Sequence, residues 1–221
     1  MKNVLVVAAH PDDEVLGCGA TIARHVDAGD IVNVLFLSDG VTSRDESASN
    51  DGRRNAAREA ATILGCDEPT FLDFPDNRLD SIPLLEVIKE IENIALRLQP
   101  STIYTHNSGD LNVDHRVAYN ATMTAFRPLP GCSVKEIYTY EVLSSTEWSP
   151  SGQNLFRPNV AVDVSDYLEK KINAMLCYSE EVRAYPHPRS IEAMKNQAKS
   201  RGVMFGFECA EVFTIERLLI N

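Results

Sequence analysis

His10, Asp12 and Asp13 stand together in the run Ala9-His10-Pro11-Asp12-Asp13-Glu14, directly after the apolar stretch 4–9. An imidazole and adjacent carboxylates at the end of a buried strand are costly unless something pairs their charge. A divalent cation would. His10 and Asp13 offer one nitrogen and one oxygen, a donor set suited to zinc. Neighbouring side chains in an extended or turning backbone point apart. Asp13 can therefore face the metal while Asp12 faces a water bound at an open position, which is the outline of a metal-dependent hydrolase. The best third ligand is His115, in Asn112-Val113-Asp114-His115. With His10, Asp13 and His115 as ligands, the ion would activate water and polarise a substrate carbonyl, and Asp12 would take the proton from the water. The same residues also fit a plain strand–helix turn and a helix cap. Paired aspartates after a first strand also occur in phosphatase-like magnesium sites, but the preceding histidine favours zinc.

The elements that must position these groups alternate. Segment 4–9 is a first strand, 17–28 a helix stopped at Ala28-Gly29-Asp30, and 31–37 a second strand rich in branched residues. A long polar loop spans 38–52, followed by a helix over 53–64 and a short strand over 70–74. An amphipathic helix over 83–98, with Pro83 at its start and Pro100 beyond its end, leads to a strand at 102–105 and a helix over 113–126. Repeated strand–helix units predict a mostly parallel sheet flanked by helices, an α/β fold with its ligand site at the carboxyl ends of the strands. Both His10 and His115 follow such ends. The C-terminal third is less regular, with strands expected at 136–142, 159–164 and 212–218 and helices at 166–179 and 190–201. The long loop 143–157 is placed to cover a site.

The chain has 221 residues, which fits a single domain over 1–221. A formal net charge of −11 without a long basic stretch argues against nucleic acid or an anionic membrane as the main partner. No apolar run reaches membrane-spanning length. The five cysteines are dispersed and form no C-x-x-C pair, which reads as free thiols in a reducing compartment. The first apolar run leads straight into His10 without a cleavage region, so it reads as a strand and not a signal peptide, and the expected location is cytoplasmic.

The His-Pro-Asp-Asp-Glu run after the first strand, with Leu16-Gly17-Cys18-Gly19-Ala20-Thr21 behind it, resembles the zinc-dependent PIG-L/LmbE-like de-N-acetylase family. Three further segments resemble it too: 54–65, Asp114-His115-Arg116, and Phe207-Glu208-Cys209-Ala210-Glu211-Val212-Phe213. The resemblance implies a Rossmann-like fold, a Zn2+ cofactor, and hydrolysis of an N-acetyl group from an amino sugar, often a glucosamine derivative. It implies His10, Asp13 and His115 as ligands and Asp12 as general base. Relatives are often oligomers, so a homo-oligomer is a further implication.

One departure matters. The family's second motif usually reads His-x-Asp-His, and here its first position is Asn112. Asparagine can donate to an oxyanion but cannot carry a proton. Proton delivery to the leaving amine must then come from Asp12 itself or from another residue, for which His187, fixed between Pro186 and Pro188, is the candidate. Asp114 can orient Asn112 or a metal ligand. Arg53, Arg54 and Arg58 open the second helix, and the resemblance makes Arg54 the best substrate-binding candidate. Asp39 and Asp110 are further candidates at the rim, although Asp110 can instead shape its loop. His106 reads as a core histidine, and Gly17 and Gly19 as sites of close helix–strand packing. Two other functions remain open on the same residues. One is hydration of a dicarboxylic keto or enol acid; the other is a non-catalytic module that binds a sugar nucleotide.

Overall fold

The computed structural model describes residues 1–38, 40, 50–150 and 154–220. Among these, seven strands form one sheet in the order β3-β2-β1-β4-β5-β7-β6. The strands β1 (Asn3–Ala8), β2 (Ile31–Ser38), β3 (Thr70–Phe74), β4 (Thr102–His106) and β5 (Glu136–Tyr140) run parallel. β7 (Ala210–Leu218) runs antiparallel to both β5 and β6 (Val160–Asp163), so the sheet is mixed at that edge. The helices are α1 (Asp13–Asp27), α2 (Asn50–Leu64), α3 (Leu84–Leu98), α4 (Val113–Ala125), α5 (Leu168–Cys177) and α6 (Ile191–Phe205).

β1 explains the layering. It lies between β2 and β4, and its side chains alternate between two cores. Val4, Val6 and Ala8 pack with α1, α2, α5 and α6 on one face. Leu5 and Val7 pack with α3 and α4 on the other. A central parallel strand buried on both faces must read as an uninterrupted apolar run, as 4–9 does. The chain runs outward from β1 through β2 to β3, then returns to lay β4 on the opposite side. That reversal opens a cleft at the carboxyl ends of β1 and β4, where His10 and His106 emerge.

The sequence reading differs from the structure chiefly at α1. The helix starts at Asp13, four residues earlier than the expected 17, and is kinked at Cys18 (φ −147°, ψ 23°). Asp12 stands at the N-cap position of this early start without a side-chain capping bond. The kink frees the Leu16 carbonyl and the amides of Ala20 and Thr21, and residues from the C-terminal third take them up. Lys171 Nζ donates to Leu16 O at 2.9 Å. Glu211 accepts from Ala20 N at 3.1 Å and Thr21 N at 2.7 Å, and pairs with Lys171 Nζ at 2.7 Å. Gly17 stands at the bend because a Cβ there would overlap the buried ring of Tyr140. α2 starts three residues earlier than expected, and α6 runs to Phe205, where Gly206 at φ 80° closes it. All five cysteines are free thiols. Among the described residues, no helix is long and apolar enough to cross a membrane.

Lys171 and Glu211 are both buried. Breaking a buried ion pair from one side leaves an uncompensated charge, at a cost of about 3–5 kcal/mol. Lys171→Met should therefore lower unfolding stability in denaturant by that order. Lys171→Met/Glu211→Gln should recover part of the loss, because the remaining amide carries no charge.

Candidate active site

Beyond β1 and Pro11 the chain turns through Asp12 at φ 116°, ψ −27°, a left-handed conformation rare for a residue with a side chain. Four bonds hold the turn, the first from Asp13 N to His10 O at 3.2 Å. His10 N donates to Asp13 Oδ2 at 2.9 Å, Asp12 N donates to Glu14 Oε2 at 3.0 Å, and Leu16 N donates to Asp12 O at 2.9 Å. Glu14 is itself fixed by the hydroxyl of Tyr178 at 2.6 Å. Burial pushes the Glu14 carboxyl up to about 8, against the hydrogen bond from Tyr178. Strain of this kind persists only where surrounding structure overdetermines it.

His115 arrives from the first turn of α4, whose start is capped by Asn112: Asp114 N donates to Asn112 Oδ1 at 2.8 Å. The donor atoms of His10, Asp13 and His115 lie within 4.8 Å of one another, and all three residues are buried. His10 Nδ1 is 3.1 Å from Asp13 Oδ2, and His115 Nε2 is 3.3 Å from the same oxygen. Each imidazole has a carboxylate behind its other nitrogen. His10 Nε2 lies 3.1 Å from Asp114 Oδ2 and from Asp76 Oδ1, and His115 Nδ1 lies 3.1 Å from Asp110 Oδ1. Metal-binding histidines are oriented in this way, with the far N–H directed at a carboxylate.

The group fits a divalent cation on two further counts. Asp13 Oδ1 is buried and has no hydrogen-bond partner among the described residues. The local field also calls for positive charge. Burial opposes a charged His115, yet Asp13 and Asp110 outweigh it and raise its pKa to about 9. Burial likewise opposes a charged His10, and bonds to Asp114, Asp13 and Asp76 raise it well above the usual histidine range. Burial pushes Asp13 up, but His115, His106 and His10 hold it well below the usual carboxylate range. A bound cation would supply the charge that these protons supply and displace them. His106 stacks on His115 with ring centroids 4.0 Å apart, and burial holds it well below its usual value. Its Nε2 accepts from Ala9 N at 2.8 Å, so it braces the end of β1 as a neutral core histidine.

Asp12 faces the same cavity, of about 110 Å³, with His10, Asp76, Asn77, Asn112, His115, Arg53, Ser144, Ser145 and Arg189. Arg189 Nη1 lies 3.0 Å and Arg53 Nη2 3.4 Å from Asp12 Oδ2, and Glu181 holds both guanidinium groups. Burial lifts the Asp12 carboxyl to about 6 although Arg189 and Arg53 pull it down. A cation next to it would draw it lower.

The remaining expected site residues fall as follows. Asp114 lies behind His10, fixed by the amides of Asn77 (2.7 Å) and Leu79 (3.0 Å). Asp110 is fully buried behind His115 and not at the rim; it accepts from Ser145 Oγ and from Thr146 Oγ1 (2.5 Å). Asn112 lines the cavity, but its oxygen caps α4 and its Nδ2 donates to Asn77 Oδ1 at 3.3 Å. His187 is not among the residues lining the cavity; its Nδ1 accepts from Arg189 N at 3.0 Å. Arg54 pairs with Asp73 and lies over Phe71, away from the cavity, and its neighbour Arg53 lines the wall instead. Adjacent helix positions point in different directions, and spacing alone does not settle which of the two faces the cleft. Asp39 lies outside the described residues. Asp76, Asn77, Ser144, Ser145 and Arg189 were not singled out from sequence. For Asp76 a signal existed, since Pro75-Asp76-Asn77 follows the carboxyl end of a parallel strand.

The family model for GlcNAc-PI de-N-acetylases, PIG-L, matches residues 5–126. The uncharacterised deacetylase YaiS of Escherichia coli (strain K12) is 32% identical over 180 residues, covering 79% of this chain and 89% of that protein. The diacetylchitobiose deacetylase of Thermococcus kodakarensis is 28% identical over 191 residues, covering 82% of this chain and 70% of that one. Among solved structures, the conserved protein TT1542 of Thermus thermophilus superposes with a TM-score of 0.79 at 26% identity, covering 100% of this chain and 97% of that one. A buried His–Asp–His group at the carboxyl edge of this sheet, together with these matches, makes the chain a member of the PIG-L family.

Proposed function

We propose that this protein is a zinc-dependent amidohydrolase that removes the N-acetyl, or another N-acyl, group from an amino sugar or sugar conjugate such as a GlcNAc derivative. The observation that carries the reading is the convergence of His10 and His115 on Asp13 Oδ2, with Asp13 Oδ1 buried and unpartnered among the described residues and Asp12 beside both histidines in the cavity wall. The naming of relatives as deacetylases supports it. His10, Asp13 and His115 would hold the ion, which when bound polarises the amide carbonyl and acidifies water.

The chain's own groups do the rest. Asp12 takes the proton from the attacking water. Its orientation comes from the strained turn and from Arg189 and Arg53, which both engage Oδ2. As the C–N bond breaks, Asp12 returns the proton to the leaving nitrogen. Asn112 occupies the wall where a second titratable group would otherwise stand, and its amide has two hydrogens, of which Asn77 takes one. The other is directed to the developing oxyanion. Asp114 and Asp110 hold the two imidazoles in place. The two arginines in the wall would also suit a dicarboxylic keto or enol acid, on which the same centre would add water to a double bond.

Carboxylate release from a panel of N-acyl amino sugars, followed by NMR, tests the reading. Release should stop with a chelator and return with zinc, whereas loss of enol absorbance without carboxylate would mark the hydratase. Asp12→Asn should keep one zinc per chain and lose about 10²–10⁴-fold in turnover, as expected for removal of a general base. Near-full activity in that variant would exclude Asp12 from the role. Zinc added to the metal-free protein at pH 7 should release at least one proton per chain. His115, raised to about 9, is protonated at that pH and must give its proton up to bind. Apparent zinc affinity should accordingly strengthen as the pH rises toward 9, which calorimetry in buffers of different ionisation enthalpy will report.

A further inference from the structure

The cavity around Asp12 has a volume of about 110 Å³. Pockets that enclose a whole small-molecule ligand run to roughly 300–1,000 Å³. This one has room for an acylamino group and the part of the ring that bears it, so the rest of any conjugate lies outside, against the rim. The chain's single tryptophan, Trp148, follows the wall residue Ser145 by three residues and has 52% of its surface exposed.

Trp148 is placed by the same groups that build the site. It closes the 3₁₀ turn Thr146–Trp148, directly after the wall residues Ser144 and Ser145. Asp110, the carboxylate behind His115, anchors that turn through Ser145 Oγ and Thr146 Oγ1. Thr146 Oγ1 in turn accepts from Val142 N at 2.7 Å. The Glu147 carboxylate accepts from Ser144 N at 2.6 Å and from Ser145 N at 3.3 Å. The indole meets the His187 ring edge-on, with centroids 6.3 Å apart at 82°. His187 is tied to Arg189, and Arg189 Nε donates to Ser144 Oγ at 2.7 Å, which closes the circuit back to the cavity wall. Beyond that contact, about half of the Trp148 surface is open to solvent. The other wall loops carry exposed apolar side chains as well: Leu111, 46% exposed, precedes Asn112, and Tyr185, 60% exposed, precedes Arg189 by four residues.

We infer that Trp148, braced by His187, is a specificity-determining shelf on which a second pyranose ring of the substrate stacks. The inference rests on the deacetylase reading above. A pyranose has apolar C–H faces and a polar edge. An exposed indole offers the large apolar surface that such a face would cover, with a polar N–H at its edge for the hydroxyls. The favoured substrate is then an N-acyl amino sugar linked to another sugar, not the free monosaccharide.

The zinc-loaded protein allows a direct test, because its tryptophan fluorescence reports Trp148 alone. In the Asp12→Asn background, which blocks turnover, N,N'-diacetylchitobiose should shift the emission saturably. GlcNAc should require at least about tenfold higher concentration for the same shift. With Asp12 intact, Trp148→Ala should raise KM for the disaccharide about five- to tenfold while leaving kcat within about twofold, and should leave GlcNAc kinetics unchanged. Trp148→Phe should restore most of the loss. An emission indifferent to the disaccharide, or equal effects of Trp148→Ala on both sugars, overturns the shelf. If neither sugar is hydrolysed but the disaccharide still shifts the emission, the shelf stands and the deacetylase reading falls.

Discussion

A carboxylate with 1% of its surface exposed, Asp13, is the constraint around which the cleft is organised. Left alone in an apolar interior it would protonate. His10 from the end of β1 and His115 from the start of α4 prevent that, with His106 from the end of β4 stacked on His115 as a neutral brace, and each needs its own support. His10 leans on Asp114 and Asp76, His115 on Asp110, and His106 on the Ala9 amide. Charges therefore alternate outward from Asp13 in shells, carboxylate, imidazole, carboxylate, until backbone amides of Asn77 and Leu79 and hydroxyls of Ser145 and Thr146 end the series. Four separate loops must be in register for those shells to close, and the parallel sheet delivers them because all follow strand ends on one edge.

Asp12 sits next to this cluster in sequence but belongs to a second network. Arg189, Arg53 and Glu181 surround it with two positive groups and one negative. Burial outweighs the two guanidinium groups and lifts its carboxyl, whereas Asp13 is held firmly as an anion. Two adjacent aspartates thus acquire opposite tendencies from their neighbours, and the left-handed turn at Asp12 is what sends the two side chains into different environments.

Much of this was legible in the chain. The central apolar run, the alternation of strands and helices and the parallel sheet follow from hydrophobic pattern and from Gly and Pro punctuation, and the observed bounds of β3 coincide with the expected 70–74. Periodicity missed the first turn of α1, because Asp13 and Glu14 are charged and yet buried there. The kink at Cys18 was out of reach, since its partners Lys171 and Glu211 lie far along the chain. The grouping of His10, Asp13 and His115 followed from their positions after strand ends. Which arginine reaches the cleft did not. Arg53 and Arg54 are equivalent by composition, and only the direction of the helix relative to β3 sends one to Asp12 and the other to Asp73. His187 drew notice because of its flanking prolines, but the cavity is reached by Arg189, two residues on, through a turn whose geometry no local pattern encodes.

The buried Lys171–Glu211 pair bears on the order in which a ribosome delivers the parts. The three residues of the donor set, His10, Asp13 and His115, have all been synthesised once the chain reaches position 115. The helix that begins at Asp13, however, cannot satisfy its bend until residues 171 and 211 arrive, and Asp12 cannot be clamped before Arg189. During translation the nascent N-terminal half carries a complete set of donor atoms on an unfinished scaffold. Strand β7, the last of the seven described strands in sequence order, inserts between β5 and β6, and only then does the earliest helix acquire its final shape.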